Sequence, residues 1–159
     1  MENQLPVNKQ QLDLKLIFIS VIACFVYIIG ASYALEYFNI NTGGSAPPPE
    51  KLQFILYFVL LNPLLGTLIV QRFVYSILLF AYGQSAYFKH IYIIISAVLY
   101  ALLSSGNTVA IALLYLPGIV LSFSYYKAKM ENRPAFWTTF SIQALLNLAI
   151  GFFDYYMAA

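Results

Sequence analysis

Two amides in the stretch SIQALLNLAIG, residues 141–151, are the first side chains whose spacing invites chemistry. Gln143 and Asn147 are four residues apart, so a helix puts them on one face. In apolar surroundings such groups are costly unless each finds a partner. They can hold a peptide carbonyl or a lipid headgroup, or join two helices at about 0.6 kcal/mol per hydrogen bond. Neither titrates, so neither can take a proton from water. Arg72, in LIVQRFVYS, is the other prominent group. An ionisable side chain inside an apolar segment points to function by default. Three roles are open to it. It can snorkel to an interface as an anchor. It can pair with Glu36, a backbone carbonyl, an amide or a hydroxyl. It can contact a ligand directly.

The remaining reactive types are sparse. Glu36 falls near the end of an apolar run and is expected among headgroups. His90, the single histidine, stands beside Lys89 at the start of a helix and reads as interfacial. Cys24, the single cysteine, reads as a small core residue. One histidine and one cysteine cannot build an ordinary zinc site, so no metal is expected. HExxH and GxSxG are both absent. No cofactor motif is present. A formal net charge of +2 without a basic cluster gives no reason to expect nucleic acid as a partner.

The elements that must position these groups follow from composition. Charged residues make up 9% of the 159-residue chain, against about 25% in soluble domains. Hydrophobic residues make up 62%, and the mean hydropathy is +0.78. The lipid bilayer is therefore the expected solvent. The expected fold is all-α: a polytopic membrane protein, a compact bundle of about five transmembrane helices. A cytoplasmic tail, residues 1–15, precedes one helical domain, residues 16–159. The tail is too polar for a signal-peptide leader, so the first helix is expected to be retained. Spans are expected at 16–38, 52–82, 88–104, 108–126 and 135–156. Pro63 should kink or split the second. The Gly/Pro-rich stretch at 39–51 is a connector.

Five spans place the termini on opposite sides. With the N-terminus inside, Lys9, Lys15, Lys89, Lys127, Lys129 and Arg133 all fall on the cytoplasmic side. Only Lys51 falls outside, and Arg72 lies within the membrane. This is the positive-inside pattern. Rich usage of Tyr, Phe, Ile and Asn hints at an AT-rich bacterial genome, hence a bacterial plasma membrane.

The order of motifs resembles the CPBP family, the CAAX-protease and bacteriocin-processing (Abi) membrane proteins. That family carries a Glu-Glu pair followed by Arg, then an aromatic three residues before a His, then a His three residues before an Asn. The third region here is the best match. Gly118, the polar KAKMENR loop and Trp137 precede Gln143-Ala-Leu-Leu-Asn147. Asn147 is kept, and Gln143 takes the His position. In SAVLYALLS, Tyr100 takes the aromatic position and Ser104 the His position. In NPLLGTLIVQRFVYS, anchoring on Arg72 puts Thr67 and Leu68 at the Glu positions. Anchoring on Pro63 puts Gly66 and Thr67 there. Neither register supplies a carboxylate.

The resemblance implies the family fold and a reaction in which Glu activates water while His and Asn hold it or stabilise the oxyanion. Thr67, Ser104, Gln143 and Asn147 cannot supply that base. The expectation is a degenerate, catalytically silent member. Its cavity would be lined by Thr67, Leu68, Arg72, Tyr100, Ser104, Gln143 and Asn147. Such a cavity would hold a peptide, a lipid or a membrane-protein partner, in an immunity, chaperone or accessory-subunit role. Two alternatives stay open. One is a membrane-embedded transferase or lipid-modifying enzyme using Arg72 and Tyr100 in the same cavity. The other is an unrelated structural or channel-forming bundle, whose polar residues would face lipid or separate partners.

Overall fold

A computed structural model of the chain describes residues 11–40, 51–83, 85–105 and 107–157, the side chains of 51 and 154–157 excepted. Most of the tail and most of the Gly/Pro connector lie outside the described residues. Five helical runs account for the rest, and no strand occurs among the described residues. These are α1 (Leu14–Tyr37), α2 (51–82), α3 (Phe88–Ser104), α4 (Thr108–Met130) and α5 (Ala135–Met157).

Local chemistry sets their ends. Asp13 caps α1, its carboxylate accepting from the Leu16 N–H at 3.0 Å. Asn107 caps α4 in the same way, accepting from the Val109 N–H at 2.8 Å. Asn39, Gly83 and Asn132 follow α1, α2 and α4 with positive φ. Asparagine tolerates such a turn, and the conformation at Gly83, φ 59° with ψ −153°, is one that only glycine adopts readily. After α4 the Arg133 N–H reaches back to the Ala128 carbonyl at 2.8 Å. The helix therefore runs one turn beyond the expected Tyr126. Lys127, Ala128 and Lys129 are good helix formers, and cations suit a helix C-terminus.

The second run is not split at Pro63. The backbone keeps right-handed helical dihedrals through Leu61 and Asn62. What changes is the hydrogen-bond register. Two π-helical segments, Phe54–Leu61 and Thr67–Phe73, flank a short α-helical segment, Asn62–Gly66. Proline has no N–H for the usual i−4 bond, and a wider register accommodates that gap.

Four of the five helices are long and apolar enough to cross a membrane. The portion Phe54–Tyr82 has 29 residues, roughly 43 Å of ideal helix against a hydrocarbon core of about 30 Å. Helix α3 has 17 residues, roughly 25 Å, and is the short one. It forms a hairpin with α4. The Phe88 ring joins Tyr125 and Ala128 in one buried cluster, and Tyr100 packs on Gly118 further along. A Cβ on Gly118 would lie 2.9 Å from the Ala97 carbonyl oxygen, so only glycine permits this approach of backbones.

Helices α4 and α5 pack on each other, and both touch α1 and α2. Three buried clusters follow one another along the bundle. One is aromatic, around Tyr75, Phe88, Tyr92 and Tyr125. A middle one holds Ile17, Val70, Tyr100, Leu121 and Ile142. The third holds Cys24, Ile28 and Leu146. Large apolar side chains cover the outside, including Phe18, Ile22, Phe73, Phe80 and Leu103. Such a surface is stable only in lipid. The protein is a helical membrane bundle.

Candidate functional site

Helix α2 buries Thr67, Val70, Gln71, Val74, Tyr75 and Leu78. That spacing of three and four residues is a single helical stripe. Thr67 is fully buried on it. Leu68 is 43% exposed and Arg72 is exposed, because each follows a stripe residue by one position and so points to a different side of the helix. The buried polar residue of LIVQRFVYS is thus Gln71, not its charged neighbour.

On α5 the inward residues include Ile142, Gln143 and Leu146. Gln143 is 2% exposed, and its amide is seated on Gly66 of α2. A Cβ on Gly66 would lie 3.1 Å from Gln143 Nε2 and 3.2 Å from its Oε1. From α3, Tyr100 lies within electrostatic reach of the Gln143 and Ser104 side chains and of the Cys24 thiol of α1. Tyr100 is buried, while Ser104, one turn on, is exposed at the end of α3. Beside Gly66, the Thr67 hydroxyl has no hydrogen-bond partner among the described residues. Gly66, Thr67, Tyr100, Ser104 and Gln143 therefore form one polar joint between α2, α3 and α5, bordered by Cys24.

Asn147 has a different partner. Its Nδ2 donates to the Phe58 carbonyl of α2 at 2.6 Å. In a π register, the Phe58 carbonyl would receive the N–H of residue 63. Residue 63 is proline and has none. The Asn147 amide supplies the missing donor, as a polar side chain must where no water is present. Asn147 and Pro63 are one device.

Arg72 lies elsewhere. It lines a cavity of about 460 Å³ with Tyr75, Ser76, Leu79, Phe80, Tyr125 and Lys129. None of the other six expected positions is part of that lining. Glu36 forms no ion pair with it among the described residues. His90 is exposed at the start of α3, and Cys24 is a free, buried thiol. No cluster of His, Cys, Asp or Glu that could hold a metal occurs among the described residues.

A second polar layer was not singled out from the residues alone. The Tyr92 hydroxyl donates to Gln71 Oε1 at 2.8 Å, inside the aromatic cluster. Gln71 Nε2 and the hydroxyls of Ser96, Thr138 and Thr139 are buried without partners among the described residues. Ser20 of α1 and Ser124 of α4 share a hydroxyl–hydroxyl contact of 3.1 Å. The sequence carries no signal that sets Gln71 inward, since the residues around the α2 stripe are as apolar as those within it. The joint and this layer are both neutral, built from amides, hydroxyls and a thiol. They can bind and orient a polar group, and they hold no carboxylate to activate water. No protein family, curated protein or solved structure matches the chain.

Proposed function

We propose that this protein is a non-catalytic, CPBP-like integral membrane protein that binds a membrane partner at the Gly66–Tyr100–Gln143 joint. The observation that carries the reading is the seat of the Gln143 amide on Gly66, beside Tyr100. Residues from three separate helices, each placed in a motif by resemblance alone, meet at one spot. By resemblance, the Glu positions fall on Gly66 and Thr67 or on Thr67 and Leu68, and the His positions on Ser104 and Gln143, while Arg72 and Asn147 have other surroundings. No residue at the spot is a base that could activate water. A neutral joint of this kind suits a peptide carbonyl presented by another membrane chain, entering past the exposed Ser104. Immunity, chaperone and accessory-subunit roles all use binding of this type. The N-terminus faces the cytoplasm, and α3 completes a fifth span.

Two measurements test the reading. The full chain in lipid nanodiscs is incubated with internally quenched CAAX-type peptides. No hydrolysis above the blank is expected, and hydrolysis abolished by Gln143→Leu would overturn the non-catalytic assignment. Separately, a photoreactive residue is placed at Ser104 or at Phe18, which faces lipid. A discrete polypeptide adduct is expected from position 104 alone. Lipid adducts from both positions would remove the binding assignment.

A further inference from the structure

The cavity that Arg72 enters is independent of the joint, and its lining is amphiphilic. Helix α2 contributes Arg72, Tyr75, Ser76, Leu79 and Phe80, and α4 contributes Tyr125 and Lys129. Two cations face one space, and neither has a carboxylate partner among the described residues. Arg72 is close enough to act electrostatically on Tyr125. The Tyr125 ring is almost fully buried, and its hydroxyl has no hydrogen bond among the described residues. The Ser76 hydroxyl is committed to the Arg72 carbonyl at 2.9 Å, so it braces the turn that carries the guanidinium. On the other side Leu79 and Phe80 offer apolar surface, and Phe80 is 95% exposed.

The cavity also sits at a definite level. Lys129 lies in the last turn of α4, and Arg133, just beyond, pairs with Asp13 at the start of α1 at 3.3 Å. Lys89, at the start of α3, lies over the rings of Phe123 and Tyr126 of α4 at 5.4 and 5.9 Å. All these groups share the basic end of the bundle, where headgroups begin. Arg72 is ten residues before Tyr82, the last residue of α2, so it reaches up from within the hydrocarbon.

We propose that this cavity is a binding site for an anionic phospholipid. Arg72 and Lys129 hold the phosphate, the Tyr125 hydroxyl donates to it, and the acyl chains leave along Leu79 and Phe80. A guanidinium presents a fork of donors suited to phosphate oxygens, and a lysine adds a point charge. Basic pockets between transmembrane helices are built for such headgroups. The volume, about 460 Å³, suits a headgroup. This assignment goes beyond the partner-binding reading and does not depend on it.

The test is native mass spectrometry of the full detergent-purified chain, titrated with phosphatidylglycerol or phosphatidylcholine. The wild type is expected to retain one phosphatidylglycerol in preference to phosphatidylcholine. Lys129→Gln should weaken retention about fivefold, as expected for one cation near the surface. Arg72→Gln should weaken it further, and Arg72→Lys should recover part of the loss. Lys15→Gln removes a cation at the same end but outside the cavity and should leave retention unchanged. Lys129 is exposed, so its variant folds and keeps the test decisive. Equal retention of the two lipids, or equal losses in K15Q and K129Q, would overturn the site. Displacement of phosphatidylglycerol by millimolar inorganic phosphate would overturn the lipid assignment, leaving a site for free phosphate.

Discussion

At the scale of single residues, two glycines that look alike in the chain have opposite neighbours. At Gly66 an added methyl meets the far end of the Gln143 side chain. At Gly118 it meets the backbone of Ala97. A flexible amide can give by a few tenths of an ångström, whereas a packed backbone cannot. Gly66→Ala should therefore be nearly neutral, since alanine also favours the helix. Gly118→Ala should lose about 1–3 kcal/mol by overpacking the hairpin. Unfolding in mixed detergent micelles would rank the two, and the reverse order would contradict the close approach of α3 and α4. A second residue-scale prediction concerns Gln71. Tyr92→Phe should cost about 0.6 kcal/mol, the usual worth of a hydrogen bond between membrane helices. In a Gln71→Leu background the same change should cost less, because the hydroxyl then keeps only the backbone carbonyl of residue 71, at 3.4 Å.

At the scale of the element, α2 shows how one missing hydrogen fixes a partner on another helix. Pro63 leaves the Phe58 carbonyl open, and Asn147 fills it. Asn147→Leu should destabilise the bundle by about 0.6–1.7 kcal/mol. With Pro63→Ala the N–H returns, and the same Asn147→Leu change should then cost markedly less. Equal costs in both backgrounds would dissolve the link. The N-terminus of α1 offers a simpler case. Asp13 accepts from the Leu16 N–H and also pairs with Arg133. Asp13→Ala should cost about 1 kcal/mol, chiefly from the cap. Arg133→Gln should cost less, because its ion pairs are partly solvated. Asn147 thus has a structural duty that its place in a motif did not announce. Nothing in SIQALLNLAIG names Phe58 as its acceptor, since the pairing depends on α5 lying against the π-helical part of α2.

At the scale of the whole molecule, the ion pair between Asp13 and Arg133 sets the start of α1 beside the α4–α5 turn. Cysteines introduced at Lys15 and Lys127 should therefore be labelled from one face of the membrane, and a cysteine at Tyr37 from the other. Labelling of Lys15→Cys and Lys127→Cys from opposite faces would contradict the packing of α1 on α4 and α5. Much of this architecture was legible in the chain. The apolar runs determined where helices form, because a backbone in lipid must satisfy its own hydrogen bonds. The ends set by Asn39, Gly83, Asn107 and Asn132 emerged only with the backbone dihedrals and caps. What the sequence left undecided was the direction each helix faces. In water, an apolar stripe marks the buried face. In a bilayer the lipid-facing side is as apolar as the core, so periodicity says little about inside and outside. Only the packing of α2 could turn Gln71 inward to Tyr92 and Arg72 outward to Lys129. Only the meeting of α2, α3 and α5 could place Gln143 on Gly66 and leave Asn147 to the carbonyl that Pro63 had freed.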